Sequence, residues 1–269
     1  HMRFYSPVGI KEVTVMAKSP TMDEYVEFVY IDNIPAFADI KTSIKVLKKG
    51  VYRTESGKVQ QFSAEEMKPA SLSFKIACKD PYWTKISRIK AKWYIKFVLN
   101  GGDPVTGVPN KNWRGIRPVH CREAVALFLN IGYMCTLEKF QQRVSTFQGT
   151  FLDNNRYPVD TSTLISRLEN LSGFDIGLIY SGNGVSGLGG GRTWGVYQKS
   201  FLYHYENSGG CCSTIFHELG HCLGYSHNST MTYGQWASGC ADVFYKNNIK
   251  DFPVNSHTIL KSRSNPNIY

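Results

Sequence analysis

No run of this sequence approaches the roughly 18 consecutive apolar residues of a membrane-spanning helix, so no span is expected. No Cys-x-x-Cys pair occurs among the seven cysteines, which removes zinc-ribbon and thioredoxin-like readings. No basic start followed by an apolar stretch marks a leader. His1-Met2 reads as the remnant of a cleaved expression tag, and the natural sequence is expected to begin at or near Arg3. Acidic residues are few, 21 against 31 Lys+Arg, and charged residues total 19% against 42% hydrophobic. That balance excludes a chain disordered throughout and a collagen-like or coiled-coil rod, and it supplies enough apolar side chain for a core. The net charge of +10 suits an anionic partner or a solvated basic surface, and the second is the more ordinary. The odd cysteine set (Cys78, Cys121, Cys135, Cys211, Cys212, Cys222, Cys240) fits up to three bridges and one thiol in an exported chain, or full reduction in a cytosolic one.

At 269 residues the chain makes one large domain or two modest ones, and its patterning changes near residue 85. Residues 1–85 read as a β-rich module, sandwich-like, with a folded propeptide as the rival. Residues 25–31 carry apolar groups on both faces, as expected inside a sandwich, whereas residues 72–78 alternate as a half-exposed strand does. Lys49-Gly50 and Ser56-Gly57 have turn chemistry. From Ser87 to Leu99, Ile89, Ala91, Trp93, Ile95, Phe97 and Leu99 point one way and Arg88, Lys90, Lys92 and Lys96 the other, predicting a strand with one buried and one basic face. Helices are expected over 120–134, on the stripe Ala124, Leu127, Phe128, Ile131, and over 161–171, capped by Asp160 or Thr161. Strands are expected over 174–180 and 194–203. The expectation is an α+β chain, residues 86–269 forming its second domain.

The informative segment is 217–227, which reads H-E-x-x-H-x-x-G-x-x-H. Residues four apart on a helix lie one turn above each other, so His217 and His221 present imidazoles to one point. Glu218 lies about 100° round the helix, beside that point. Gly224 allows a positive φ, ends the helix and lets His227 return as a third ligand. Three protein ligands leave a position for water, the arrangement of a catalytic zinc ion, Zn2+. In this composition, with seven His and 24 Gly, the expected number of accidental matches is about 3 × 10⁻⁵.

This motif resembles the signature of the metzincin zinc metallopeptidases, which is followed by a methionine turn. Met231, in Ser229-Thr230-Met231-Thr232-Tyr233, is the turn residue by that resemblance. Ser-x-Met-x-Tyr is similar to the turn of astacins and serralysins, whose tyrosine binds zinc and swings away to the tetrahedral intermediate. The resemblance gives that role to Tyr233, although only three residues separate His227 from Met231, fewer than in those groups. Element order from about residue 86 resembles the adamalysin group. Residues 189–198 resemble the Gly-rich bulge and edge strand that hold substrate, which makes Gly190, Gly191, Trp194 and Gly195 candidate substrate contacts. The likeness spans about 180 residues, with diagnostic motifs only in 217–233. It implies a secreted or cell-surface zinc endopeptidase, monomeric, acting on protein or peptide with Glu218 as general base, without nucleic acid or a membrane span. A binding module for glycan or protein, its zinc structural, is the alternative, and a latent enzyme covered by its N-terminal module is a third possibility.

Other features carry less. Gly182 to Gly187 fits G-x-G-x-x-G after a strand, but the glycines that follow do not propagate the helix a dinucleotide site needs, so a flexible loop at the rim of the cleft is expected. The basic face with Tyr94 interleaved could hold nucleic acid or an acidic glycan, although lysines there also keep a sheet soluble. Cys78 could cap the zinc, yet its setting lacks the Arg-Cys-Gly pattern of matrix metallopeptidase propeptides. Cys222 is expected in the core, and Cys211 or Cys212 is a candidate to bridge Cys240. His120, His204 and His257 have no ligand spacing, and the specificity pocket is expected from segments after the turn, including 236–244.

Overall fold

The computed structural model describes residues 6–36, 38, 41, 43, 48–99, 101–103, 108–198, 200, 204 and 211–255. It divides into two units, His1–Ser87 and Arg88–Tyr269, and is a mixed α+β structure. No helix among the described residues is long and apolar enough to cross a membrane.

In the first unit, strands β1 (Ile10–Lys18), β2 (Val26–Ile34) and β5 (Ser73–Ala77) form an antiparallel sheet in the order β2-β1-β5. β3 (Lys49–Arg53) and β4 (Val59–Ser63) form a hairpin, closed by Gly57 at φ 85°. Ala17, Met22, Val26 and Met67 are buried between them, with Phe28, Tyr52, Phe62 and Leu72 packed around. Two readings change here. β2 lies at a sheet edge, so most of its apolar groups are not buried, and the enclosed strand is β1, paired on both sides. Lys49-Gly50 opens β3 rather than making a turn. A short helix, α1 (Pro81–Ile86), follows, capped by the Asp80 side chain accepting from Tyr82 N.

The second unit is built on β6 (Tyr94–Leu99), β7 (Trp113–Arg114), β8 (Gly173–Ile179), β9 (Gly187–Gly190) and β10 (Thr193–Tyr197), ordered β6-β8-β10-β9. β6, β8 and β10 are parallel, β9 runs antiparallel to β10 at the edge, and β7 pairs the end of β8. The alternation read from Arg88 holds in the burial pattern through Leu99, but strand pairing starts only at Tyr94. The reason is register: Tyr94 faces Gly173, the first residue of β8, so nothing upstream has a partner. β10 ends at Tyr197, short of the strand expected to reach residue 203, and 201–203 lie outside the described residues.

Helices α2 (Pro118–Cys135) and α4 (Thr161–Glu169) match the two apolar stripes, α4 being capped by Asp160 accepting from Ser162 N. α3 (Glu138–Ser145), a π-helical segment (Gln235–Asp242) and α6 (Val243–Asn248) complete the layer with α5 (Cys211–Cys222). Phe128 of α2 stacks on Phe174 of β8 with centroids 4.5 Å apart and meets Trp194 of β10 edge-on at 5.0 Å. Burying such rings stabilises the fold by about 2–3 kcal/mol each, before their mutual geometry is counted. Cys78, Cys121, Cys135, Cys222 and Cys240 are free thiols. The bridge to Cys240 is therefore not formed: Cys212 Sγ faces the His204 carbonyl at 3.6 Å, and Cys240 lies beside Arg143.

Candidate metal centre

Helix α5 has two unlike faces. Ile215, Phe216, Leu219 and Cys222 are buried in the core, where Trp194 Nε1 donates to the Ile215 carbonyl at 3.4 Å. His217 and His221 stand one above the other on the other side. The helix closes through two bonds, Gly224 N to His221 O at 2.9 Å and Tyr225 N to Gly220 O at 3.1 Å. This is a Schellman ending, and it requires the φ of 90° that Gly224 adopts. The chain then turns back and delivers His227.

The Nε2 atoms of the three histidines form a near-equilateral triangle: 3.1 Å from His217 to His221, 3.0 Å from His221 to His227, 3.3 Å from His227 to His217. His217 Nδ1 donates to the Thr232 carbonyl at 2.5 Å and His221 Nδ1 to the Tyr225 carbonyl at 2.7 Å. A carbonyl only accepts, so both Nδ1 atoms carry the hydrogen and both Nε2 atoms present lone pairs. Burial pushes the His217 imidazole down to about 4, its bond to Thr232 offsetting part of this, and burial lowers His221 as well. Unprotonated lone pairs converging at this distance repel unless a cation sits among them. Donors in a tetrahedral shell with bonds of about 2.0–2.1 Å stand about 3.3–3.4 Å apart, so the separations suit a metal ion. His217, His221 and His227 could hold one.

Glu218 is 3% exposed, and its Oε1 lies 3.9 Å from His217 Nε2, beside the triangle and outside it. Burial pushes its carboxyl up to about 8. The room for it comes from β9. A Cβ on Gly187 would stand 2.1 Å from Glu218 Oε1, and one on Gly189 would stand 2.4 Å from the Glu218 carbonyl. A similar approach occurs at Gly220, between the two helical ligands, where a Cβ would meet the Met231 carbonyl at 2.6 Å. Met231 is fully buried, and the next residue, Thr232, supplies the carbonyl that fixes His217. The segment expected as a methionine turn thus abuts the ligand helix.

A cleft of about 610 Å³ opens over the triad, with Glu218, Tyr233 and backbone of β9 among its walls. The Tyr233 ring packs on His217 (centroids 4.5 Å) and His227 (5.0 Å) while 57% of the residue stays exposed. No protein-family model, no curated protein and no solved structure matches the chain.

The residues expected to hold substrate are displaced from that cleft. Trp194 is 0% exposed and belongs to the core. Gly195 lies under the Trp113 ring, 2.5 Å from where its Cβ would be. Both sit on β10, which is covered by β9, so the sheet edge is one strand upstream of where the pattern placed it. Gly190, at φ 143°, ends β9, and Gly191, at φ 54°, opens the turn into β10. The cleft is lined instead by Gly187, Leu188 and Gly189. Sequence reading missed Ser213 and Thr214 in its wall, whereas Ser238 falls within the 236–244 segment expected to form the pocket. Gly184 to Gly187, within the G-x-G-x-x-G segment read as a loop at the rim of the cleft, do line it. That pattern leads into strand β9 and not into a helix, so it forms no dinucleotide cradle.

Other titratable groups lie apart from the triad. His120 Nδ1 accepts from Arg117 N at the start of α2, His204 is buried against Tyr245, and His257 lies outside the described residues. Burial pushes the Cys222 thiol up to about 12, and its Sγ donates to the Thr193 carbonyl at 3.2 Å. Cys78 belongs to the first unit, where its Sγ donates to the Lys11 carbonyl at 3.1 Å.

Proposed function

We propose that the second unit is a metzincin-like, zinc-dependent endopeptidase domain acting on protein or peptide substrates. One observation carries this reading: three imidazole Nε2 atoms 3.0–3.3 Å apart, with a buried carboxylate 3.9 Å from one of them, at the floor of an open cleft. A purely structural site has no use for a carboxylate held there, and no use for a cleft.

His217, His221 and His227 hold the ion. When bound, zinc supplies Lewis acidity, lowering the pKa of a water and polarising a carbonyl oxygen. Glu218 takes the proton of the attacking water and returns it to the leaving amine. Burial raises its carboxyl in the metal-free fold, and a cation held by the triad would favour the ionised form that a proton acceptor needs. Tyr233 stands at the rim over two ligands, where its hydroxyl can donate to the developing oxyanion. The all-imidazole donor set suits zinc among the first-row transition metals and disfavours Mg2+ and Ca2+, and the choice of zinc rests on the motif's resemblance to the zinc peptidases.

The test is cleavage of an unbiased peptide library. The reading expects hydrolysis abolished by a chelator, restored by zinc, and lost in Glu218→Ala protein that still binds one equivalent of metal. Metal binding without any cleavage would favour the binding-module alternative.

A further inference from the structure

The peptide between the second and third ligands is gripped from outside. Asn154 reaches across it: Nδ2 donates to the Gly224 carbonyl at 3.1 Å, and Oδ1 accepts from Ser226 N at 2.6 Å. Tyr225, between these two contacts, supplies the carbonyl that takes the His221 Nδ1 hydrogen at 2.7 Å. Ser226 directly precedes His227. One side chain therefore holds the Gly224–Tyr225 peptide by its carbonyl and the Tyr225–Ser226 peptide, whose own carbonyl orients His221, by its N–H.

The loop carrying Asn154 is itself held rigid. Asp153 Oδ1 accepts from Asn155 N at 2.8 Å and Tyr157 N at 2.9 Å, and Arg156 adopts φ 69° in the turn so formed. Leu152 N donates to Thr230 Oγ1 at 2.7 Å, and Thr230 N returns a bond to the Leu152 carbonyl at 3.0 Å. Arg156 Nη1 reaches the Asn228 carbonyl at 3.0 Å. Residues 152–156 thus run along the return loop as a strap, Asn154 holding the chain before His227 and Arg156 the residue after it.

We propose that Asn154 is a positioning residue of the metal centre, acting through Tyr225 on His221 and through Ser226 on His227. The proposal rests on the reading that the triad binds metal. Asn154 is exposed, so truncating it leaves Gly224 O and Ser226 N to water rather than orphaned in the core. Its removal loosens the ligands without unfolding the domain. Partners that orient metal ligands are typically worth 10–100-fold in affinity.

The experiment is a Co2+ titration of the full chain, followed by the cobalt d–d absorption, on wild type, Asn154→Ala and Asn154→Asp. The expected result is a Kd raised about 10–100-fold in Asn154→Ala with an altered d–d band. Asn154→Asp, which keeps the acceptor for Ser226 N, falls between. The melting midpoints of the metal-free forms stay together. Unchanged affinity and spectrum in Asn154→Ala would overturn the proposal, as would a metal-free midpoint that falls in step with the affinity. Wild type that takes up no cobalt removes the metal centre itself and this inference with it. Wild type that binds cobalt yet cleaves no peptide leaves Asn154's role standing and defeats only the peptidase reading.

Discussion

Glu218 shows how little freedom a single residue has at this site. Its carboxylate occupies the space that a side chain on Gly187 would need, and its backbone carbonyl the space a side chain on Gly189 would need, so the base and the edge strand specify each other. Gly187→Ala is expected to cost about 1–3 kcal/mol through overpacking. Most of that cost disappears in a Glu218→Ala background, because the atoms the new methyl strikes are gone. A double-mutant cycle by chemical denaturation checks this, and an additive result would contradict it. The raised carboxyl also has a pH signature. A carboxyl shifted from 4.5 to about 8 in the metal-free fold contributes stability at low pH that is lost as pH rises through that range. Glu218→Gln removes this loss, so metal-free variant minus wild type should grow more positive from pH 5 to pH 8. Melting the pair across that range measures it. His217 titrates the opposite way, and its contribution cancels in the difference.

The lowered imidazoles make a second pH prediction. Protons and metal compete for the same Nε2 lone pairs, and His217 already gives up its proton near 4. Metal release on acidification should therefore have its midpoint well below 6.5, the value of a free imidazole. Competition with a colourimetric chelator across a pH series reads it directly.

At the scale of elements, helix α5 depends on where it stops. Gly224 holds φ 90°, and Gly224→Ala is expected to cost about 1–2 kcal/mol while also disturbing His227. Weaker metal binding together with a lower melting midpoint would be the observed pair. What could be read from sequence at this scale follows a physical division. α2, α4 and β8 announce themselves because one stripe or one alternation decides them, and the three ligands are legible because four-residue spacing and a glycine stop are local facts. β2's edge position, the late start of β6, the π-helical segment and the covering of β10 by β9 were not legible. Each depends on which partner lies alongside, and that information is absent from local pattern. The glycines moulded around Glu218 belong to the same class: their reason is a side chain some thirty residues later in the chain.

For the molecule as a whole, the two units differ in what metal should do to them. The triad, the Met231 segment and the edge strand all belong to Arg88–Tyr269, and β1 to β5 contribute no ligand. Metal at about 100 times its Kd stabilises a fold by about 2.7 kcal/mol. Chelation should lower the second unit's melting midpoint by about 5–10 °C. Hydrogen exchange should rise over residues 211–233 and stay unchanged over β1 to β5. An equal rise in both would show that the metal acts elsewhere.

X-ray absorption at the zinc edge of the loaded full chain bears most directly on the central claim. Three imidazole nitrogens at about 2.0–2.1 Å and one exchangeable light atom are predicted. A sulfur scatterer, or a fourth protein ligand closing the shell, would contradict it.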